Sequence, residues 1–173
     1  MTNPTLETLK SRRSVRSYQK KQVEEEALQA ILEAGTYAAT GMNRQSPVIV
    51  CVQDKETRDR LQTMNAAVMG ADRDPFYGAP TVVVVLADRS VPTCVEDGAL
   101  VIGNMMNAAF SVGVDSCWIH RAKQEFETEE GKALLAAWGI TGDYVGVGHL
   151  ILGYRDGELP ETRARKENYI YRV

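Results

Sequence analysis

Six basic side chains fall within residues 10–21: Lys10, Arg12, Arg13, Arg16, Lys20 and Lys21, with no acid among them. Ser14 and Ser17 are interleaved. Arginine offers a planar fork of donors that matches phosphate and carboxylate oxygens, and serine hydroxyls add more. Taken alone, such a run reads as a solvated basic turn. Three arginines within five residues of a net-acidic chain point instead to an anion site. A second basic group, Arg163, Arg165 and Lys166, follows Pro160. By itself it is an ordinary exposed loop. The two groups could converge on one phosphate if the chain ends meet in space.

A third segment, Thr40-Gly41-Met42-Asn43-Arg44-Gln45, carries Asn and Gln amides, which pair a donor with an acceptor and so match the edge of a heterocycle. Its plainer reading is a turn after a helix, because Gly41 and Asn43 are common turn residues. Other apparent motifs fail. Gly146-Val147-Gly148 lacks the third glycine of a dinucleotide loop and lies inside a strand-like run. No phosphate-binding P-loop and no G-x-S-x-G nucleophile context occurs. His149 reads as a hydrogen-bonded core residue, and Cys117 beside Trp118 as a buried small hydrophobe. Glu125, Glu127, Glu129 and Glu130 read as a solvated face and a helix start. Two histidines and three cysteines at unhelpful spacing give no expected metal site, and no side chain stands out as catalytic.

The remaining composition narrows the function classes. The 173 residues suit one domain, taken here as 1–173, and 44% hydrophobic with 25% charged residues excludes disorder. Twenty Lys and Arg against 23 Asp and Glu leave a net charge of −3, which argues against a nucleic-acid partner. Residues 1–7 hold no apolar run of the signal-peptide kind. The longest strongly apolar stretch, Val82 to Ala87, falls far short of the roughly 20 residues of a membrane helix. With no C-x-x-C spacing, the expectation is reduced thiols, no membrane partner and a cytoplasmic location.

Periodicity places these residues on elements. It predicts helices over 5–11, 23–39, 55–69, 96–112 and 129–138, and strands over 47–52, 81–87, 116–120, 144–152 and 169–173. The segment TVVVVLA is apolar throughout, as a strand covered on both faces should be. The 96–112 helix is apolar nearly all round, so it belongs inside the domain or between subunits. Gly98 and Gly103 on it suggest close backbone approach. The order predicts a mixed α/β sheet with helices on its faces.

Together the segments resemble a known family. Arg12-Arg13-Ser14-Val15-Arg16-Ser17-Tyr18 resembles the RRSxRxY opening of the FMN-dependent nitroreductase family, and Ala39 to Gln45 its P-S-x-x-N-x-Q segment. Tyr77-Gly78-Ala79-Pro80 before a valine run, Asp97-Gly98-Ala99, Gly113 to Ile119, and Leu152-Gly153-Tyr154 also match. The resemblance spans about residues 8–170.

It implies an α+β sandwich in an intertwined homodimer, with the last strand exchanged between subunits and FMN in the interface. It implies that Arg12, Arg13 and Ser14 hold the phosphate and ribityl chain, with Arg163, Arg165 or Lys166 completing the phosphate pocket. Arg16 and Asn65 would reach the flavin pyrimidine. Thr40, Gly41, Asn43 and Gln45 would line the ring or come from the partner, and the backbone at Trp118 and Ile119 would run along the isoalloxazine. The implied activity is hydride transfer from NADH or NADPH, through flavin N5, to a small oxidant such as a nitroaromatic or quinone. A flavin-binding sensor or carrier without efficient turnover is the alternative. The chain departs from the family pattern at Ala39-Thr40, where Pro-Ser is usual, and at Ser46-Pro47, where Pro-Trp is usual. It also lacks the long insertion that forms a lid in larger members.

Overall fold

A computed structural model describes all of residues 1–173. The central strand is β2 (Thr81–Asp88), paired antiparallel on one side with β1 (Pro47–Val52) and on the other with β4 (Tyr144–Gly153). The fourth strand, β3 (Asp115–Ile119), pairs antiparallel with β4 and forms one edge, β1 forming the other. The sheet order is β1-β2-β4-β3, antiparallel throughout its four strands. One parallel bridge, Ser14 to Ser116, lies outside them.

Strand alternation sorts the core into two layers. Val82, Val84 and Leu86 face one side and pack with Leu61, Phe76 and Phe126. Val83, Val85 and Ala87 face the other and pack with Ile31, Ile102 and Met105. The first layer is covered by α3 (Lys55–Met69), α5 (Ala122–Glu127) and α6 (Glu129–Ala137). The second is covered by α2 (Glu25–Thr36) and α4 (Cys94–Ser111). The remaining helix, α1 (Pro4–Ser11), has no buried residue.

Local sequence sets several of these ends. Asn3 accepts the Leu6 N–H at 2.9 Å and caps α1, with Pro4 at its first turn. Asp54 accepts the Thr57 N–H at 2.8 Å and caps α3, which closes on a left-handed Gly70. Thr128 ends α5 and caps α6 through the Gly131 N–H. The structure differs from the sequence reading at the second helix, at α5 and at Gly103. The second helix is shorter than 23–39, since Val23 and Glu24 are still extended into its start. The short helix α5 was not expected. Residues 169–173 pair with no strand of their own chain, and Tyr169, Ile170 and Tyr171 stand exposed. A Cβ on Gly98 would stand 2.6 Å from Val147, which confirms the close approach of α4 to β4, but one on Gly103 would meet nothing within 4 Å.

Candidate active site

The basic N-terminal arm lies along the β3 edge of the sheet. The Val15 N–H donates to the Ser116 carbonyl at 3.1 Å, and the Tyr18 hydroxyl donates back to the Val15 carbonyl at 2.9 Å. Val15 and Tyr18 are buried, so the arm is pinned by its apolar side chains while Arg12, Ser14 and Arg16 stay outside the core. Arg13 turns one Nη onto the carbonyls of Lys10 and Arg12, both at 2.7 Å, and so closes the C-terminal end of α1.

Three donors at this edge are buried without a protein partner: Nη1 of Arg12, Nε of Arg13 and Oγ of Ser116. Buried polar atoms are nearly always paired, because an unpaired one forfeits its hydration without compensation. Burial, and then the neighbouring Arg13 charge, pull the Arg12 guanidinium below its ordinary value. A bound anion relieves both effects.

Beside the arm, a cavity of about 220 Å³ opens against β3. Arg16, Cys117, Trp118 and Ile119 line one wall; Met69, Arg73, Pro75 and Tyr77 line another. His120 and Arg121 complete it, so the lining holds three arginines and no carboxylate. Burial holds the Cys117 thiol above its ordinary value, while Arg16, a Ser14 hydrogen bond and Arg12 pull it down. That places both guanidinium charges close to the middle of β3.

The segment 40–45 is held elsewhere. Asp97, buried in the first turn of α4, accepts the Gly41 N–H at 2.9 Å, the Ser46 hydroxyl at 2.8 Å and the Thr93 hydroxyl at 3.2 Å. Burial opposes its ionisation, yet these hydrogen bonds keep its carboxyl below the ordinary range. Thr40 Oγ1 accepts the Gln45 N–H at 3.1 Å, and Met42, Asn43 and Gln45 all adopt positive φ. Non-glycine residues hold such angles only where surrounding structure fixes them. Thr40 and Gln45 line a second cavity that shares no residue with the one at Arg16 and Trp118. Within one chain, the two sets of sequence-predicted residues therefore lie at two separate cavities.

Asn65 is not at a ligand-facing edge. It is fully buried, and its amide donates to the His120 carbonyl at 2.9 Å and to the Glu125 carboxylate, while its oxygen accepts Nε of Arg121 at 3.0 Å. With both ends of the amide engaged by protein, Asn65 supports the pocket from behind. Glu125, read from sequence as solvated, is also fully buried, with its oxygens 2.9 and 3.0 Å from Nε2 of His149. Arg163, Arg165 and Lys166 are exposed; Arg165 bonds only the Arg163 carbonyl, and Lys166 sits 5.0 Å from the Tyr169 ring. No hydrogen bond or ion pair joins them to the N-terminal arginines of the same chain. The sequence reading missed Arg73, His120 and Arg121. Only the adjacency of the last two to Trp118-Ile119 could have flagged them.

The chain is an α+β sandwich, with helices on both faces of an antiparallel sheet and a basic, acid-free pocket beside β3. The chain belongs to the nitroreductase family, whose family model matches residues 9–154. A nitroreductase with bound FMN from Bacteroides fragilis NCTC 9343 is 33% identical and superposes with a TM-score of 0.91, over 99% of this chain and all of that one. A nitroreductase with bound FMN from Desulfitobacterium hafniense DCB-2 is 25% identical, with a TM-score of 0.88 over 99% of each chain. A relative from Methanothermobacter thermautotrophicus, provisionally named an NADH dehydrogenase/NAD(P)H nitroreductase, is 27% identical over 118 residues. That match spans 65% of this chain and 59% of the relative's length.

Proposed function

We propose that this chain is an FMN-dependent NAD(P)H oxidoreductase that reduces a nitroaromatic, a quinone or a similar small oxidant. The observation that carries the reading is the set of buried, unpartnered donors on Arg12, Arg13 and Ser116, next to a cationic pocket walled by Trp118. A flavin mononucleotide supplies what that arrangement lacks. Its phosphate is an acceptor for orphaned donors, and its ring is a planar body for an aromatic-lined cavity.

In this reading Arg12, Ser14 and the free Nε of Arg13 hold the phosphate and ribityl chain, and Arg16 faces the pyrimidine. The backbone at Trp118 and Ile119 follows the ring. Bound FMN would supply two-electron redox chemistry between a reduced nicotinamide and the oxidant. The chain's own part is binding, orientation and charge. Arg16 stabilises the negative charge that develops on reduction, and the pocket walls exclude water.

The site is completed by a second copy of the chain. A cavity of about 220 Å³ is smaller than a typical cofactor site, and the second half-site at Thr40, Gly41, Asn43 and Gln45 stands apart from it. On α4, Leu100 is half exposed and Gly103 borders open space, which leaves a face for another subunit. The exposed Tyr169-Ile170-Tyr171 tail suits strand pairing with the partner, and would carry Arg163, Arg165 or Lys166 to the partner's phosphate site.

FMN titration followed by dilution tests the reading. FMN should quench on binding at one per chain and be released as dimers dissociate. A dilute monomer that retains all its FMN contradicts the shared site.

A further inference from the structure

The pocket at β3 carries more positive charge than the flavin contacts proposed for it use. Arg16 faces the flavin, but Arg73 and Arg121 also line the cavity and have no such duty. The Arg121 side chain is held by a hydrogen bond, whereas Arg73 is exposed and only the loop that carries it is held.

Arg121 sits in a left-handed backbone position, φ 83°, and its Nε donates to Asn65 at 3.0 Å. Asn65 is fixed in turn by the His120 carbonyl and by the Glu125 carboxylate, and Glu125 by His149. Asn65, Glu125 and His149 are all fully buried, and His149 packs against the rings of Phe76 and Phe126. Burying three polar side chains is costly unless they are mutually paired; here the links from Arg121 to His149 Nε2 are all made, and only Nδ1 of His149 is left buried without a partner. Its outer end is a guanidinium whose Nη groups have no protein acceptor.

Arg73 rides on a loop folded by Asp74. That carboxylate accepts the N–H groups of Phe76 and Gly78, both at 2.7 Å, and Nη2 of the buried Arg58 at 2.9 Å. Asp72 and Asp74 flank Arg73 in sequence, but neither lies within ion-pair distance of it.

We infer that Arg121 and Arg73 form an anion subsite that selects oxidants bearing a carboxylate over their neutral counterparts, with Asn65, Glu125 and His149 as positioning residues. The inference rests on the oxidoreductase reading above. The subsite binds and does not alter the redox step. For a nitroaromatic, the nitro group takes two electrons as hydride from the nicotinamide by way of the flavin, with one proton from solvent. It becomes a nitroso group and releases water: ArNO2 + NADH + H⁺ gives ArNO + NAD⁺ + H2O.

The test compares 4-nitrobenzoate with the isosteric, neutral 4-nitrobenzamide on FMN-loaded dimer. Calorimetry gives affinity for the oxidised protein, steady-state rates give kcat/KM, and absorbance gives the FMN content of each variant. The wild type should favour nitrobenzoate by about tenfold or more, the scale of a charge-assisted pair. Arg121→Gln and Arg73→Gln should collapse that ratio towards one with FMN content unchanged. Asn65→Ala should lower the ratio in the wild-type background and leave it unmoved in Arg121→Gln, a coupling that general destabilisation does not produce.

A wild type that binds both compounds equally overturns the inference. So do variants that lose FMN, which would assign the arginines to the cofactor. So does a loss confined to NADH relative to the neutral donor 1-benzyl-1,4-dihydronicotinamide, which would assign them to the nucleotide phosphates. A chain that takes up no FMN contradicts the oxidoreductase reading and the inference with it. A loaded chain without charge discrimination contradicts the inference alone.

Discussion

Asp97 accepts the backbone N–H of Gly41 at 2.9 Å across 56 residues of sequence, and so ties the start of α4 to the 40–45 turn. The Ser46 and Thr93 hydroxyls complete its shell. One carboxylate thus sets the shape of a half-site that it does not itself line.

The Asp97 carboxyl is held below its ordinary value of 3.8 in the folded chain. Its stabilisation is therefore full above that value and is lost as pH falls through the lower, folded value. Asp97→Asn should cost about 1–3 kcal/mol at neutral pH, because three donors then face a mixed donor–acceptor group. Thermal midpoints measured from about pH 2 to 6 should fall less steeply towards acid in the variant than in the wild type. Parallel curves would show that Asp97 is not a source of the acid lability.

The Arg12 side chain donates to nothing in its own chain, and its Nη1 is buried. Arg12→Ala should therefore weaken FMN binding by about 10- to 100-fold, the equivalent of a charged hydrogen bond, without lowering the melting temperature of the FMN-free protein. A variant that melts earlier and binds FMN normally would make Arg12 structural.

Much of the fold was legible and part of the site was not, for identifiable reasons. The strands at 47–52 and 81–87 declare themselves through β-branched runs, and α3 through the helical pattern of 55–69. The arm from Arg12 to Arg16 was legible because its charges are adjacent in sequence. The helix α5 was not, because six residues give less than two turns of periodicity and its Glu125 looks like a surface acid. Only the fold brings His149 to Glu125, 24 residues away, and Asn65 to Arg121, 56 residues away. A long-range polar chain of this kind has no local signature. The 169–173 segment has strand-forming side chains, but strand pairing needs a neighbour that its own chain does not supply.

Arg16 is exposed at the rim of the pocket and opposes no acid there. Arg16→Ala should lower the two-electron potential of bound flavin by about 10–20 mV, corresponding to about 0.5–1 kcal/mol for a partly exposed charge pair. Its reduction by NADH in stopped flow should slow in step. An unchanged potential with an unchanged half-reaction would remove Arg16 from the redox site.

Gly148 on β4 lies under the Trp118 indole, and an added Cβ would stand 2.4 Å from Trp118 Nε1 and 3.1 Å from Ile102 Cδ1. Gly148→Ala should cost about 1–3 kcal/mol through overpacking and displace Trp118. Denaturant titration and tryptophan fluorescence should report both, together with weaker FMN retention. A variant with native fluorescence and native stability would contradict the packing of Trp118 on Gly148.

Whether the cationic edge of this sheet holds a redox-active flavin is read from the absorbance spectrum of the FMN-loaded protein before and after anaerobic addition of NADH or NADPH. The oxidised flavin spectrum should bleach with either donor and return on adding a nitroaromatic or quinone. Bound flavin that stays oxidised under excess of both donors would contradict the oxidoreductase and leave a flavin carrier or sensor.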